Sequence, residues 1–331
     1  MRITRETLIR VAKETALKRA LPDRSLVAAY LTGSVLTEEP FLGNTTDIDI
    51  VLVHADEPVV PREILAVTPE VHLDIRHNRR GDYDKPKELR VHPDLGPELY
   101  DPMPLYVTQH FFEYVQAGVR DKYHEPASVL VRARREAEFA RQVWAGLQVE
   151  GSSVPERMSA YLNGVNLAAN AVALLNDGLL AERRLLLQFP QRANAAGDAR
   201  LSPALLDLLG GGQIGAGEIG ALLPDWEKAF TEAAGKPHPD VRISLPRLQY
   251  YKQAFQALLQ GEFPQAVLWP LLLTWTLAVR VLPSTRLNPW LSACNQLGLS
   301  MEAFHQHVDG LDAFLDRVDE LLDHFAADNQ L

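Results

Sequence analysis

The sequence predicts an α+β protein, with a first part built around a small β-sheet and then a mostly α-helical domain. Three observations predict this. Short apolar or alternating runs of strand length lie between residues 26 and 76, and a polar, Pro-rich stretch follows at 77–103. Beyond it the apolar positions recur only at helical spacing. The change of pattern places a domain boundary near residue 103, giving units at 1–103 and 104–331.

Taken in order, Ile3, Leu8, Val11, Ala12 and Leu17 repeat at helical intervals over residues 4–21. Residues 26–32 (LVAAYLT) read as a short buried strand. Residues 47–53 (DIDIVLV) begin with strict alternation and become continuously apolar, and residues 70–76 (EVHLDIR) alternate again. The segments EEPFLGNTT and ADEPVVPRE between these runs read as turns. Pro86, Pro93, Pro97 and Pro102, with Pro104 just beyond, mark 77–103 as a loop or linker. Helical patterns follow at 105–118, 126–149, 155–177, 179–189, 246–260, 264–281 and 309–327, broken by Gly151 and by the GGGQIGAGEIG stretch at 210–220. The longest apolar stretch, 266–282, contains Pro270 and Arg280. It is shorter than a membrane span needs and reads as a buried helix. Phe111, Phe112, Tyr114, Trp269 and Trp275 read as core or interdomain packing.

Composition narrows the function. The chain has 331 residues, 47% of them hydrophobic and 23% charged, with a formal net charge of -10. Phosphate-backbone binding needs clustered Lys and Arg, so the acidic total argues against a nucleic-acid partner. Cys294 is the single cysteine, which excludes an intramolecular disulfide and a thiolate zinc cluster and points to a reducing cytoplasm. The N-terminal twenty residues carry charges throughout and lack the apolar core of a signal peptide. A cytoplasmic protein with no membrane partner is expected.

The chemistry concentrates on a few residues. Gly33 and Ser34 directly follow the first strand, and twelve residues separate Ser34 from Asp47. Residues i and i+2 of a strand share a face, so Asp47 and Asp49 project side by side about 6–7 Å apart. Two carboxylates this close repel unless a cation neutralises them, and an oxygen-only pair suits Mg²⁺. Asp74 is a third acid, set between Leu73 and Ile75, and is costly to bury without a partner. If its strand lies beside 47–53, the three carboxylates make a two-metal site. Gly33 permits close backbone approach to a ligand. A helix beginning at Ser34 would present free N–H groups to a phosphate.

An apolar strand ending in Gly-Ser, a spacer, D-x-D in a strand and an Asp in a later strand resemble the nucleotidyltransferase superfamily with the DNA polymerase beta-like fold. The resemblance spans about residues 1–80 and is nearest to small bacterial-type members with a helical C-terminal domain. It implies a mixed sheet packed on two helices, Mg²⁺, and ATP or another nucleoside triphosphate as substrate. By matching positions, Gly33 and Ser34 would bind phosphate. Asp47 and Asp49 would be metal ligands, with Asp74 the third carboxylate. Asn163, Asn166 and Asn170 share one helix face, and that face with Arg183 or Arg184 would cover the triphosphate. Arg76, Arg79 and Arg80 are an alternative source of positive charge, and His72 shares the face of Asp74. The expected activity is transfer of AMP to a hydroxyl of a small-molecule acceptor with release of pyrophosphate. A protein acceptor, or nucleotide binding without catalysis, are the alternatives.

Overall fold

Five strands form one mixed sheet in the computed structural model, which describes residues 3–331 other than 109, 150, 177, 238 and 239. The strands are β1 (Leu26–Thr32), β2 (Thr46–His54), β3 (Arg62–Ala66), β4 (Val71–Arg79) and β5 (Met103–Val107), in spatial order β3-β4-β2-β1-β5. β2 and β4 pair in parallel and every other neighbour is antiparallel. The central strands β2 and β4 have the longest alternating patterns. The edges are five-residue strands, which limits the exposed backbone left to pair with another chain.

Among the described residues there are thirteen α-helices: α1 (Arg5–Ala20), α2 (Pro86–Arg90), α3 (Leu95–Tyr100), α4 (Phe111–Arg120), α5 (Pro126–Leu147), α6 (Val154–Ala173), α7 (Leu185–Ala195), α8 (Leu201–Leu208), α9 (Ala216–Ala234), α10 (Leu245–Leu259), α11 (Leu268–Val279), α12 (Asn288–Gln296) and α13 (Phe304–Asp328). The Thr4 side chain caps α1 by accepting from the Thr7 N–H at 3.3 Å, and Lys18 and Arg19 complement the dipole at its other end. Leu8, Ala12 and Ala16 of α1 cover one face of the sheet, against Leu31, Ile48, Ile50 and Ile75. The opposite face packs Tyr30, Val51 and Val53 against Tyr83, Leu99 and the α4 residues Phe112, Val115 and Val119. A third, larger cluster joins α5 through α13. Arg141 of α5 ties this bundle to α13 through Asp312, Asp316 and Asp319.

Several elements differ from the sequence expectation. The helix expected from residue 105 begins at Phe111, because 103–107 completes the sheet as β5 and the expected boundary falls on its first residue. Pro104 is tolerated there because β5 is an edge strand. The 77–103 stretch is not an open loop. Pro86 sits in the first turn of α2, where its missing N–H costs nothing, and α2 and α3 bury Leu89 and Leu99. β3 begins at Arg62, at the end of the segment read as a turn, and runs on to Ala66. The Gly-rich stretch breaks the chain only as far as Gly215. From Ala216 it is α9, stabilised by burial of Ile219, Trp226 and Phe230. The α8 and α12 segments were not anticipated either. Residue 177, where one expected helix ends, lies outside the described residues. The apolar stretch at 266–282 is the buried helix expected, and no helix among the described residues is long and apolar enough to cross a membrane. Phe112, Trp269 and Trp275 are buried, whereas Tyr114 is 70% exposed.

Candidate active site

The alternation of β2 decides where the acids point. Ile48, Ile50 and Leu52 face α1, so Asp47 and Asp49 project from the other face. Parallel pairing places β4 beside them, with Asp74 in register with Asp49 and His72 in register with Asp47. Thr32 of β1 lies across from Asp49 on the other side. Three carboxylates and an imidazole therefore meet on one patch of sheet, and α10 packs over it from the helical part.

Each acid has a different environment. The Asp47 Oδ2 accepts from the Tyr250 hydroxyl at 2.7 Å and stands 3.9 Å from Arg247 Nη2. Burial pushes the Asp47 carboxyl up, but the positive charges of Arg183 and Arg247 and the nearby His72 outweigh it and hold it below the usual carboxylate range. Asp74 is buried, and both its oxygens are engaged. Arg62 donates Nε to Oδ1 and Nη2 to Oδ2, each at 2.7 Å, and Arg247 donates to Oδ2 as well. The Asp49 carboxyl takes no hydrogen bond among the described residues. Burial, reinforced by the charges of Asp47 and Asp74, raises its carboxyl well above the ordinary range.

Gly33 ends β1 with φ at +75°, a conformation that favours glycine. A Cβ there would fall 2.1 Å from Asp49 Oδ2, so glycine is what allows this carboxyl to lie against the backbone. The helix considered at Ser34 is a single three-residue 3-10 turn, and the Ser34 hydroxyl lies 3.3 Å from Thr46 Oγ1.

Asp47, His72 and Asp74 offer three possible metal-ligand atoms, all within 4.8 Å of one another. The ligand set expected was Asp47, Asp49 and Asp74. In the structure the Asp49 carboxyl turns toward Gly33, and His72 takes its place in the compact group. The donor chemistry fits a cation in one respect: His72 Nε2 is buried without a hydrogen-bond partner, and burial lowers the imidazole to about 4, leaving it neutral at pH 7 with a lone pair available. It conflicts in another, because a cation would compete with Arg62 and Arg247 for Asp74.

The basic residues assigned to the triphosphate are bonded to other groups of the chain. Arg183 is buried, donating to Thr45 Oγ1 at 2.7 Å and to the Tyr250 carbonyl at 2.8 Å with its guanidinium over the Tyr250 ring. Arg184 donates to the Phe41 carbonyl at 2.6 Å. Both fasten the helical part to the loop before β2. Arg76 pairs with Glu98, Arg79 with Asp82 and Glu57, and Arg80 lies over Phe111. Asn163, Asn166 and Asn170 line a separate cleft, and the Asn170 side chain is bonded to Asn166 and to the Leu180 N–H. The cations that do reach the acids, Arg62 and Arg247, were missed, as was Tyr250. Arg247, Tyr250 and Tyr251 at i, i+3 and i+4 form one helix face, which is the signal that was available. No family model matches the chain, and no curated protein matches its sequence.

Proposed function

We propose that this protein is a Mg²⁺-dependent nucleotidyltransferase that moves AMP from ATP, or the corresponding nucleotide of another triphosphate, to a hydroxyl of a small-molecule acceptor. The observation that carries the reading is the carboxylate arrangement. Asp47 and Asp49 share one face of β2, Asp74 stands abreast of Asp49 on the parallel strand β4, and Gly33 meets Asp49 from the end of β1. The mixed sheet and the resemblance to the DNA polymerase beta-like superfamily support it.

Asp47 would hold the metal, with His72 and Asp74 within reach and Asp49 beside them on β2. A bound Mg²⁺ supplies neutralisation of the triphosphate and a lower pKa for a hydroxyl it touches. Gly33 lets the Asp49 carboxyl lie against the backbone at the end of β1. Arg62, whose side chain is 36% exposed, takes the triphosphate contact first expected of Arg183 and Arg184. The acceptor oxygen bonds to the α-phosphorus as the bond to the β-phosphate bridging oxygen breaks. Pyrophosphate leaves with that electron pair, and the hydroxyl proton passes to a carboxylate. Substituting Asp47 and Asp49 together with Ala is expected to lower Mg²⁺-dependent pyrophosphate release about a hundredfold or more. Unchanged turnover refutes the reading.

A second reading is a nucleotide-binding protein without turnover. The clamp of Arg62 and Arg247 on both oxygens of Asp74 favours it, since it withholds the third carboxylate. Calorimetric nucleotide binding with no pyrophosphate release across a panel of hydroxylated acceptors would establish it.

A further inference from the structure

The C-terminal ends of β2 and β4 carry a second group of titratable side chains, away from the acids. Ile50, Leu52 and Ile75 face α1, so by alternation His54 and His77 lie on that side of the sheet, opposite to Asp47, Asp49 and Asp74. His54 Nε2 and His77 Nδ1 are 2.9 Å apart, while the ring centroids are 5.1 Å apart and the ring planes differ by 20°. The rings therefore meet end to end, each inner nitrogen aimed at the other. The outer nitrogens meet acids. His77 Nε2 donates to Glu63 Oε1 at 2.7 Å, and Arg19 of α1 donates to Glu63 Oε2 at 2.9 Å. His54 Nδ1 lies 3.4 Å from Asp23 Oδ2, while the Ser25 hydroxyl donates to Asp23 Oδ1 at 2.6 Å.

Counting protons along this row fixes its preferred charge. A carboxylate only accepts, so each outer nitrogen is satisfied by carrying an N–H. With those two protons and no other, two lone pairs face each other between the rings. Moving the His54 proton to its inner nitrogen mends that contact but turns a lone pair toward Asp23. With two inner protons, two N–H groups meet head on. One proton between the rings satisfies all four nitrogens. A metal ion does not suit the gap, since zinc–nitrogen bonds of about 2.0 Å along the same axis need the nitrogens roughly 4 Å apart.

The charged groups around the pair agree with one shared proton. The Ser25 bond holds Asp23 below the usual carboxylate range. Burial pushes Glu63 up, but the bonds from His77 and Arg19 outweigh it and hold it below that range as well. Two ionised acids against Arg19 and one proton leave the row electrically balanced. Arg79 of β4, in register with His54, is paired with Glu57 and Asp82, and β1 brings only Leu26 opposite His54. Burial and a charge on His77 lower His54, so the pair resists a second proton.

We propose that His54 and His77 share a single proton and act as a pH-operated clasp, closed in that form and opened by loss of the proton or by gain of a second. Closed, the row joins α1, the loop before β1 and the strands β2, β4 and β3. β3 depends on it most, being a five-residue edge strand that pairs with β4 alone. Glu63 fastens it on this side of the sheet, and the neighbouring Arg62 fastens it to Asp74. The clasp rests on this geometry and not on the transferase reading.

The test is nuclear magnetic resonance of the full chain with nitrogen-15-labelled histidine, between about pH 5 and about pH 9.5 with a metal chelator present. The signals of both rings are expected to move together in two steps, at least tenfold apart in proton affinity. In H77Q, His54 is expected to titrate in one step. Protection of the β3 amides from hydrogen exchange is expected to be highest in the singly protonated form and at least threefold lower on either side, with α13 amides as the internal standard. Rings that titrate independently, or β3 protection that follows α13 through both steps, overturn the proposal. If H77Q does not fold, the joint movement of both rings in the parent decides, because unlinked rings do not show it.

Discussion

Arg247→Met tests how the acid group is held under α10. Arg247 is 3% exposed, donates to Asp74 and stands 3.9 Å from Asp47 Oδ2. Unit charges about 4 Å apart interact by about 4 kcal/mol at an effective dielectric of about 20. Removing one partner of a buried pair costs about 3–5 kcal/mol, because the other charge is left uncompensated. In R247M, Asp74 keeps its two bonds from Arg62 and Asp47 keeps Tyr250. The expected cost is therefore near the lower end, about 3 kcal/mol. Asp74→Asn strands Arg247 as well as Arg62 and is expected to cost about 4 kcal/mol. The double variant removes both charges of the pair, so it should cost less than the two single changes combined, by about 1.5–3 kcal/mol. Urea unfolding of the four proteins measures this cycle, with unchanged slopes confirming comparable transitions. Additivity within about 0.5 kcal/mol would show that Arg247 and Asp74 are neighbours without being partners, and the account of the clamp would fail.

Gly33→Ala forces a Cβ onto Asp49 Oδ2 at a positive φ, so thermal unfolding should show a loss of about 1–3 kcal/mol together with weaker Mg²⁺-dependent nucleotide binding. An unchanged melting curve would mean that Asp49 moves aside freely. Glu136 has its folded-state carboxyl raised from 4.5 to about 7. The folded chain therefore binds more protons than the unfolded chain between those values, and stability falls as pH rises through that window. E136Q should abolish this dependence and be more stable than the parent at pH 8 by up to about 3 kcal/mol, while matching it near pH 4. Parallel stability profiles from pH 4 to 8 would contradict this.

The strands carrying the acids were legible because their pattern is local. DIDIVLV and VHLDI alternate over enough residues to fix the faces of Asp47, Asp49 and Asp74, and the parallel pairing then brings the carboxylates together. β5 was read as helix because Leu105 and its neighbours fit either period over so few residues. Only the open edge of β1 decides in favour of a strand. The 77–103 stretch was read as loop from its prolines, although Pro86 starts a helix rather than ending one. α9 was hidden by Gly217 and Gly220, whose low helix propensity is overridden by burial of Trp226 and Phe230. What sequence reasoning could not supply was pairing at long range. Arg62 reaches Asp74 diagonally from β3, Arg247 reaches it across 173 positions, and Arg183 reaches Thr45 across 138. Positive charge near the acids was expected, but spacing alone did not show that Arg183 would be consumed in holding two parts of the chain together.

These pairings set the charge that any ligand meets. Asp47 and Asp74 face Arg62 and Arg247, and burial with two acidic neighbours disfavours ionisation of Asp49. The group is thus close to electrically balanced by its own residues. A divalent cation arriving alone must share the acids with two guanidinium groups, and a triphosphate arriving alone meets carboxylates as well as arginines. Arriving together, each compensates the charge the other brings: the cation draws on the carboxylates while the phosphates occupy the arginines. On the transferase reading, Mg²⁺ is therefore expected to raise nucleotide affinity at least tenfold, a coupling of about 1.4 kcal/mol, and the nucleotide must raise Mg²⁺ affinity by the same factor. Calorimetric titration with a non-hydrolysable triphosphate, with and without Mg²⁺, measures it. R62M should weaken the complex of nucleotide with metal while leaving the weak binding of Mg²⁺ alone unchanged or stronger, because Asp74 then gains a free oxygen. If nucleotide binds equally well with and without Mg²⁺, the acids and arginines are not acting as halves of one site, and the three aspartates are a structural ion-pair group.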